Sequence, residues 1–260
     1  MSLIEVSGGV VDVISSGAGP DLVLLHSLLI DRSAFDPILP ALERSRRVHR
    51  VALPGFDGSS GVGPEVAAYA DRIAAALRRL NLGAGSVLAG NGFGGFIAVA
   101  LAIRHGALFE KLLVIDAGAG FPDAGRAAFR TMAETVSAGG MAAVAEIAAR
   151  RIFHADYLAT HPTAVDERRA VLNRFDPAAF VMACRALERL DLMAELKEIR
   201  NPTLVMVGEF DAATPVPLAH SLAQGIEGAQ FHLLPGCGHC PPMEQPREFL
   251  AAVKEFLALS

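Results

Sequence analysis

Three cysteines in a chain of 260 residues, Cys184, Cys237 and Cys240, are too few and an odd number for a disulfide framework, so they fit a reducing compartment. No run of about 20 apolar residues occurs, which excludes an expected membrane-spanning helix. The opening Met1-Ser2-Leu3-Ile4-Glu5-Val6 has no basic stretch leading into an apolar one, so a secretory leader is not expected. Basic residues are scattered in pairs such as Arg46-Arg47, Arg78-Arg79 and Arg150-Arg151 within a net charge of −5, leaving no stripe that could track a phosphate backbone. These absences describe a cytoplasmic protein that works on a small molecule, with neither nucleic acid nor membrane as partner. Whether it forms a homo-oligomer is left open.

What is present is a 52 % hydrophobic, 20 % charged chain, long enough for one large α/β domain with an insertion. Short β-branched runs predict strands at Val10-Ile14, Leu22-Leu25, Val48-Val51, Val87-Ala89, Leu112-Ile115, Thr203-Val207 and Phe231-Leu234. Helical patterns separate them. Val66, Ala70, Ile73, Leu77 and Leu80 recur at intervals of three and four, and Phe249, Val253 and Phe256 repeat that stripe near the C-terminus. This alternation is the pattern of a mostly parallel sheet with helices on both faces. From about Phe121 to Leu196 the strands stop and apolar helical patterns follow one another. The expected organisation is a core of residues 1–120 and 197–260 and a helical cap of residues 121–196 over the ligand crevice.

Four segments carry chemistry. Val87-Leu88-Ala89-Gly90-Asn91-Gly92-Phe93-Gly94-Gly95 reads as a strand, a tight glycine turn and a helix start; Leu22-Val23-Leu24-Leu25-His26-Ser27-Leu28 ends another strand on a histidine. Val207-Gly208-Glu209-Phe210-Asp211 and Leu234-Pro235-Gly236-Cys237-Gly238-His239-Cys240 end two more on an acid and a histidine. In this order the segments resemble the α/β-hydrolases, whose elbow G-x-S-x-G, triad acid and triad histidine follow one another along the chain. Leu53-Pro54-Gly55-Phe56-Asp57-Gly58-Ser59 resembles the same superfamily's turn after its fourth strand. Within it, His26-Ser27-Leu28, Cys184-Arg185-Ala186-Leu187 with Leu190-Asp191-Leu192, and the histidine loop look most like 3-oxoadipate enol-lactonase-type proteins. The resemblance implies the α/β-hydrolase fold and a site of His239, Asp211 and an oxyanion hole from the Phe93 and Leu28 amides.

The chain departs from that pattern at the elbow, with Asn91 where histidine is usual and Gly92 where the nucleophilic serine belongs. Glycine adopts the strained elbow backbone without penalty but offers no nucleophile. Ser27 and Cys240 stand near the expected pocket, with His26 and Asn91, yet neither Ser27 nor Cys240 is on an elbow that exposes it. Ser27 is read as taking the usual glycine's place in the oxyanion loop, and Cys240 as packing. The expected mechanism has His239, oriented by Asp211, act as general base in a site without a serine nucleophile, on a small ester, lactone or C–C bond substrate. Asp116 is a second candidate acid. The cap arginines Arg126, Arg130, Arg150 and Arg151 are read as solvated. Cys237-Gly238-His239-Cys240 lacks the second Cys/His pair of a metal site, so no metal or other cofactor is expected.

Three alternatives stay open: a lyase, isomerase or oxygenase-like enzyme of the same fold, a non-catalytic binder, and a dinucleotide-dependent oxidoreductase. The last rests on Gly90-Asn91-Gly92-Phe93-Gly94-Gly95, a literal G-x-G-x-x-G with Asp116 following at nucleotide-binding spacing.

Overall fold

The computed structural model describes residues 2–260. Among the described residues eight strands form one sheet: β1 (Ser2–Val6), β2 (Gly9–Gly17), β3 (Asp21–Leu25), β4 (Arg47–Val51), β5 (Val87–Asn91), β6 (Lys111–Ile115), β7 (Thr203–Gly208) and β8 (Gln230–Leu234). Their spatial order is β1-β2-β4-β3-β5-β6-β7-β8, antiparallel for the first two pairings and parallel from β4 to β8. β3, β5 and β7 are buried along their whole length, as expected of central strands covered on both faces.

β1 is a strand that the apolar pattern did not announce. It pairs only with β2, at the sheet's edge; Leu3 stays exposed while Ile4 and Val6 are half-buried, an alternation too weak to read.

The helices follow in chain order: α1 (Leu39–Leu42), α2 (Val66–Leu80), α3 (Phe93–His105), α4 (Asp123–Gly139), α5 (Ala142–Arg151), α6 (Ala155–Thr160), α7 (Ala164–Leu172), α8 (Pro177–Arg189), α9 (Val216–Gly225), α10 (Pro241–Glu244) and α11 (Pro246–Val253). On α2 the apolar stripe of Val66, Ala70, Ile73 and Leu77 is buried, and its larger members each contribute about 1.5–3 kcal/mol of burial. Arg78 and Arg79 lie in its last turn, where cations offset the helix dipole. α3 is buried from Phe93 to Ala102, so it runs inside the core directly from the β5 turn.

Helices α4 to α8 lie between β6 and β7 with no strand among them. Within this insertion α4 packs on α8 and α5 on α7. Among the described residues no helix is long and apolar enough to cross a membrane.

Candidate active site

The elbow residue Gly92 has φ 53° and ψ −117°, a backbone region that an L side chain rarely adopts, and its N–H donates to the Ile115 carbonyl at 2.9 Å. A Cβ placed on it would collide with the Ser27 hydroxyl and stand 2.8 Å from His239 Nε2 and 2.9 Å from Ser27 Cβ. Ser27 thus fills the space into which a side chain at position 92 would project. Gly90 is glycine for a different reason: a Cβ there would run into the Gly94 carbonyl and stand 2.6 Å from the Gly95 amide, so strand and helix could not meet.

That packing accounts for the G-x-G-x-x-G and corrects the dinucleotide reading. The turn follows the fifth strand, in the middle of the sheet, rather than the first of a nucleotide-binding unit. Asp116, the acid such a reading needs on a ribose, is fully buried, accepting from the Gly208 amide at 2.8 Å and from Asn91 Nδ2 at 3.2 Å.

Asp211 and His239 arrive from the ends of β7 and β8. Asp211 Oδ1 accepts from the Ala213 and Thr214 amides at 2.8 and 2.9 Å, which turns the chain tightly and aims Oδ2 at His239. His239 Nδ1 donates to Asp211 Oδ2 at 2.9 Å, so the other ring nitrogen, Nε2, is the acceptor; the Ser27 hydroxyl lies 3.2 Å from it. All three side chains are buried. Thr214 Oγ1, 2.5 Å from Asp211 Oδ2 and 2.7 Å from the Asp116 carbonyl, completes the acid's surroundings. Its only sequence signal is the Asp-Ala-Ala-Thr-Pro turn itself.

The two neighbouring acids are driven apart. Burial, and then the negative charge of Asp211, push Asp116 well above the usual carboxylate range. Burial pushes Asp211 up as well, but the charge and hydrogen bond of His239 and the Thr214 contacts outweigh it and hold Asp211 below its ordinary value. The histidine thus favours the charged form of Asp211, while burial and the neighbouring acid disfavour that of Asp116. Asp116, Asp211 and His239 offer ligand atoms within 4.8 Å of one another, but these atoms are already engaged with N–H donors and with each other. Burial raises the thiols of Cys237 and Cys240 above their ordinary value, so without a metal they are protonated, packed side chains.

The histidine loop is tied to the insertion. The His239 amide donates to the Ile152 carbonyl at 3.1 Å. Glu244, which no sequence motif marks, accepts from the His154, Gly238 and Cys240 amides at 2.8, 3.1 and 2.9 Å. Burial raises its pKa against the pull of those three donors.

A cavity opens between the strand ends and the insertion, lined by Ser27, Leu28, Gly92, Phe93 and His239 below and by Phe121, Phe129, Met132 and Leu187 above. Its volume of about 70 Å³ is several times the roughly 10–15 Å³ that one ordered water needs, so a small organic group fits. Its lining is apolar apart from the site itself and Arg151 at the rim. The Leu28 and Phe93 amides have no protein acceptor among the described residues. Phe93 opens α3, where N–H groups are unpaired by the helix and favour negative charge.

The remaining pocket candidates lie outside this lining. His26 is fully buried: Nδ1 donates to the Ser27 carbonyl at 2.8 Å and Nε2 accepts from the Leu53 amide at 3.1 Å, so the ring is neutral and pins the Ser27 loop to the chain after β4. Asn91 Nδ2 holds the His239 carbonyl at 3.2 Å from behind the elbow. Cys240 is buried, its amide donating to Glu244. Of the cap arginines, Arg130 pairs with Glu188 at 2.6 Å and Arg150 with Glu146 at 2.8 Å. Arg126 donates to the Phe121 and Glu188 carbonyls.

Residues 22–253 match the model of the Alpha/beta hydrolase family. A pimeloyl-[acyl-carrier protein] methyl ester esterase of Aromatoleum aromaticum is 27 % identical over 248 residues, covering 91 % of this chain and 97 % of its own. Among solved structures, the enol-lactonase from Burkholderia xenovorans LB400 superposes with a TM-score of 0.92 at 27 % identity, covering 99 % of this chain and 100 % of that one. A thermophilic esterase from Thermogutta terrifontis gives 0.90 at 27 % identity, covering 99 % and 98 %. With this sheet, this site order and a match over nearly its whole length, the chain belongs to the alpha/beta hydrolase family.

Proposed function

We propose that this protein hydrolyses a small ester or lactone with a largely apolar acyl or ring portion, and that His239, oriented by Asp211, is the base that deprotonates the attacking oxygen. The carrying observation is the acid–base pair itself: Asp211 fixes Nδ1, and Nε2, the acceptor beside the Ser27 hydroxyl, faces an apolar cavity beside two unspent amides. As the carbonyl is attacked, its oxygen gains charge, and the Leu28 and Phe93 N–H groups are the donors available to hold it. Position 92 takes no covalent part, because glycine carries no hydroxyl. The apolar lining recognises the hydrocarbon part of a substrate and gives a charged chain little to pair with beyond Arg151 at the rim.

Ester and lactone chemistry is supported by the relatives, which include a methyl ester esterase and an enol-lactonase, each at 27 % identity. The test is a panel of short-chain esters, enol esters and small lactones assayed against wild type and His239→Ala. Turnover that is lost in the variant sustains the reading. Saturable binding of these compounds without turnover by wild type would replace it with a non-catalytic binding protein.

A further inference from the structure

We propose that Ser27 is the nucleophile: the hydroxyl missing from the elbow is supplied by the neighbouring strand. This rests on the hydrolase reading above and names the attacking oxygen within it. Strands β3 and β5 run parallel and adjacent, with Leu25 paired to Gly90. Ser27 and Gly92 each stand two residues beyond that pair, so they are register equivalents on strand ends only about 4.8 Å apart. One position carries a hydroxymethyl group, the other a hydrogen. The two side chains exclude each other, since a Cβ at 92 would strike the Ser27 hydroxyl.

Ser27 also has what a nucleophile needs. Its Oγ lies 3.2 Å from His239 Nε2, His239 Nδ1 lies 2.9 Å from Asp211 Oδ2, and the chain order Ser27, Asp211, His239 keeps the sequence nucleophile, acid, base. Ser27 lines the cavity. The residues following the two equivalent positions are Leu28 and Phe93, whose amides are the proposed oxyanion donors. Moving the hydroxyl from one strand end to the other therefore leaves the same two donors beside it.

The reaction is balanced without any group beyond water. Ser27 Oγ bonds to the acyl carbon while its proton passes to His239 Nε2, and the imidazolium is held by Asp211. The tetrahedral intermediate collapses by breaking the bond to the alkoxide oxygen, which takes the proton from Nε2 and leaves, or stays tethered if the substrate is a lactone. Water then attacks the acyl-serine, giving its proton to Nε2. Collapse releases the carboxylic acid, and Ser27 recovers its proton.

Intact-mass analysis after treatment with a fluorophosphonate, followed by peptide mapping, reads the proposal directly. One adduct per chain at Ser27 is expected, absent from Ser27→Ala and slowed at least about 100-fold in His239→Ala. Ester or lactone hydrolysis by Ser27→Ala should fall at least about 10³-fold with an unchanged melting temperature. Ser27→Gly gives the same readout should the alanine variant not fold, and the double change Ser27→Gly with Gly92→Ser should move the adduct to position 92. Hydrolysis surviving in Ser27→Ala or Ser27→Gly but lost in His239→Ala would overturn the proposal and leave base-driven water attack standing. An adduct at any other serine, or none at all on wild type that turns over substrate, also overturns it. Neither adduct nor turnover in wild type would remove the hydrolase reading together with the proposal, whereas an adduct at Ser27 without turnover keeps the nucleophile and rejects only the substrates tried.

Discussion

Among the described residues the molecule contains two hydrogen-bonded Ser–His–Asp chains, and they stand in different surroundings. In the first, Ser27, His239 and Asp211 meet at the carboxyl ends of the strands, beneath the helical insertion. In the second, Ser15 Oγ lies 2.8 Å from His49 Nδ1, and His49 Nε2 lies 2.8 Å from Asp21 Oδ1. Ser15 and His49 are cross-strand partners on β2 and β4, and Asp21 begins β3, the end of the parallel strands opposite to the one that carries ligands. The order of contacts is the same, but the surroundings differ. Asp21 also accepts from Arg47 Nε at 2.7 Å and from the Gly83 amide at 2.8 Å, so its charge is spent on holding the chain together. Ser15 is exposed on the strand, whereas Ser27 faces a cavity with two unspent amides. A triad of residue types becomes chemistry only where an acceptor nitrogen, a pocket and oxyanion donors converge.

The largest expected effect separates the two histidines. His239→Ala should lower hydrolysis of whichever ester or lactone is found by about 10²–10⁴, the loss typical of a general base, and Asp211→Asn should lower it by supporting the wrong tautomer. His49→Ala should leave kcat/KM within about threefold of wild type. A comparable rate loss in both histidine variants would show that the second chain supports the first, and the contrast would break.

Next in size is stability, where the second chain should matter more. Burial alone would raise the Asp21 pKa, but hydrogen bonds from Arg47, Gly83 and His49 outweigh it and hold the carboxyl at about 2 against an ordinary 3.8. Because the folded value is depressed, this stabilisation is present above about pH 4 and is lost as pH falls toward 2. The shift corresponds to about 2 kcal/mol. Asp21→Asn should therefore lower the urea midpoint at pH 7 by the equivalent of roughly 1.5–3 kcal/mol with an unchanged slope. It should also flatten the acid side of the stability profile between pH 4 and 2. An Asn variant as stable as wild type would mean that the network is dispensable.

Much of this was legible in the chain. The seven strand runs read from β-branched residues all fall on strands, because buried central strands such as Leu22-Leu25 and Val87-Ala89 are continuous apolar runs. Asp211 and His239 were legible because each ends a strand on a characteristic loop. Ser27 was legible as a pocket residue but its bond to His239 was not, since that meeting joins residues 212 positions apart and depends on a loop pinned by His26 and Leu53. Sequence shows a serine in that loop but not the direction in which its hydroxyl turns. The roles of Asn91 and Glu244 were hidden for the same reason: both act on the backbone of the histidine loop, which leaves no pattern of spacing.

The smallest effects on stability belong to the two serines, and their difference in chemistry is the sharpest form of the comparison. Both hydroxyls bond a histidine that in turn bonds an aspartate, so inspection of contacts alone would treat them alike. Ser15→Ala removes an exposed hydroxyl, and water can replace it on His49 Nδ1, so stability should change by no more than about 0.5 kcal/mol. Fluorophosphonate reactivity and hydrolysis should be those of wild type. Ser27→Ala should be equally mild for stability, since the change trims one atom from a side chain whose methylene still packs, while the chemistry is lost. Melting curves and adduct formation measured on the two alanine variants in parallel decide the matter. Near-identical melting curves with opposite labelling would show that surroundings, not the hydrogen-bonded chain of residue types, make the site.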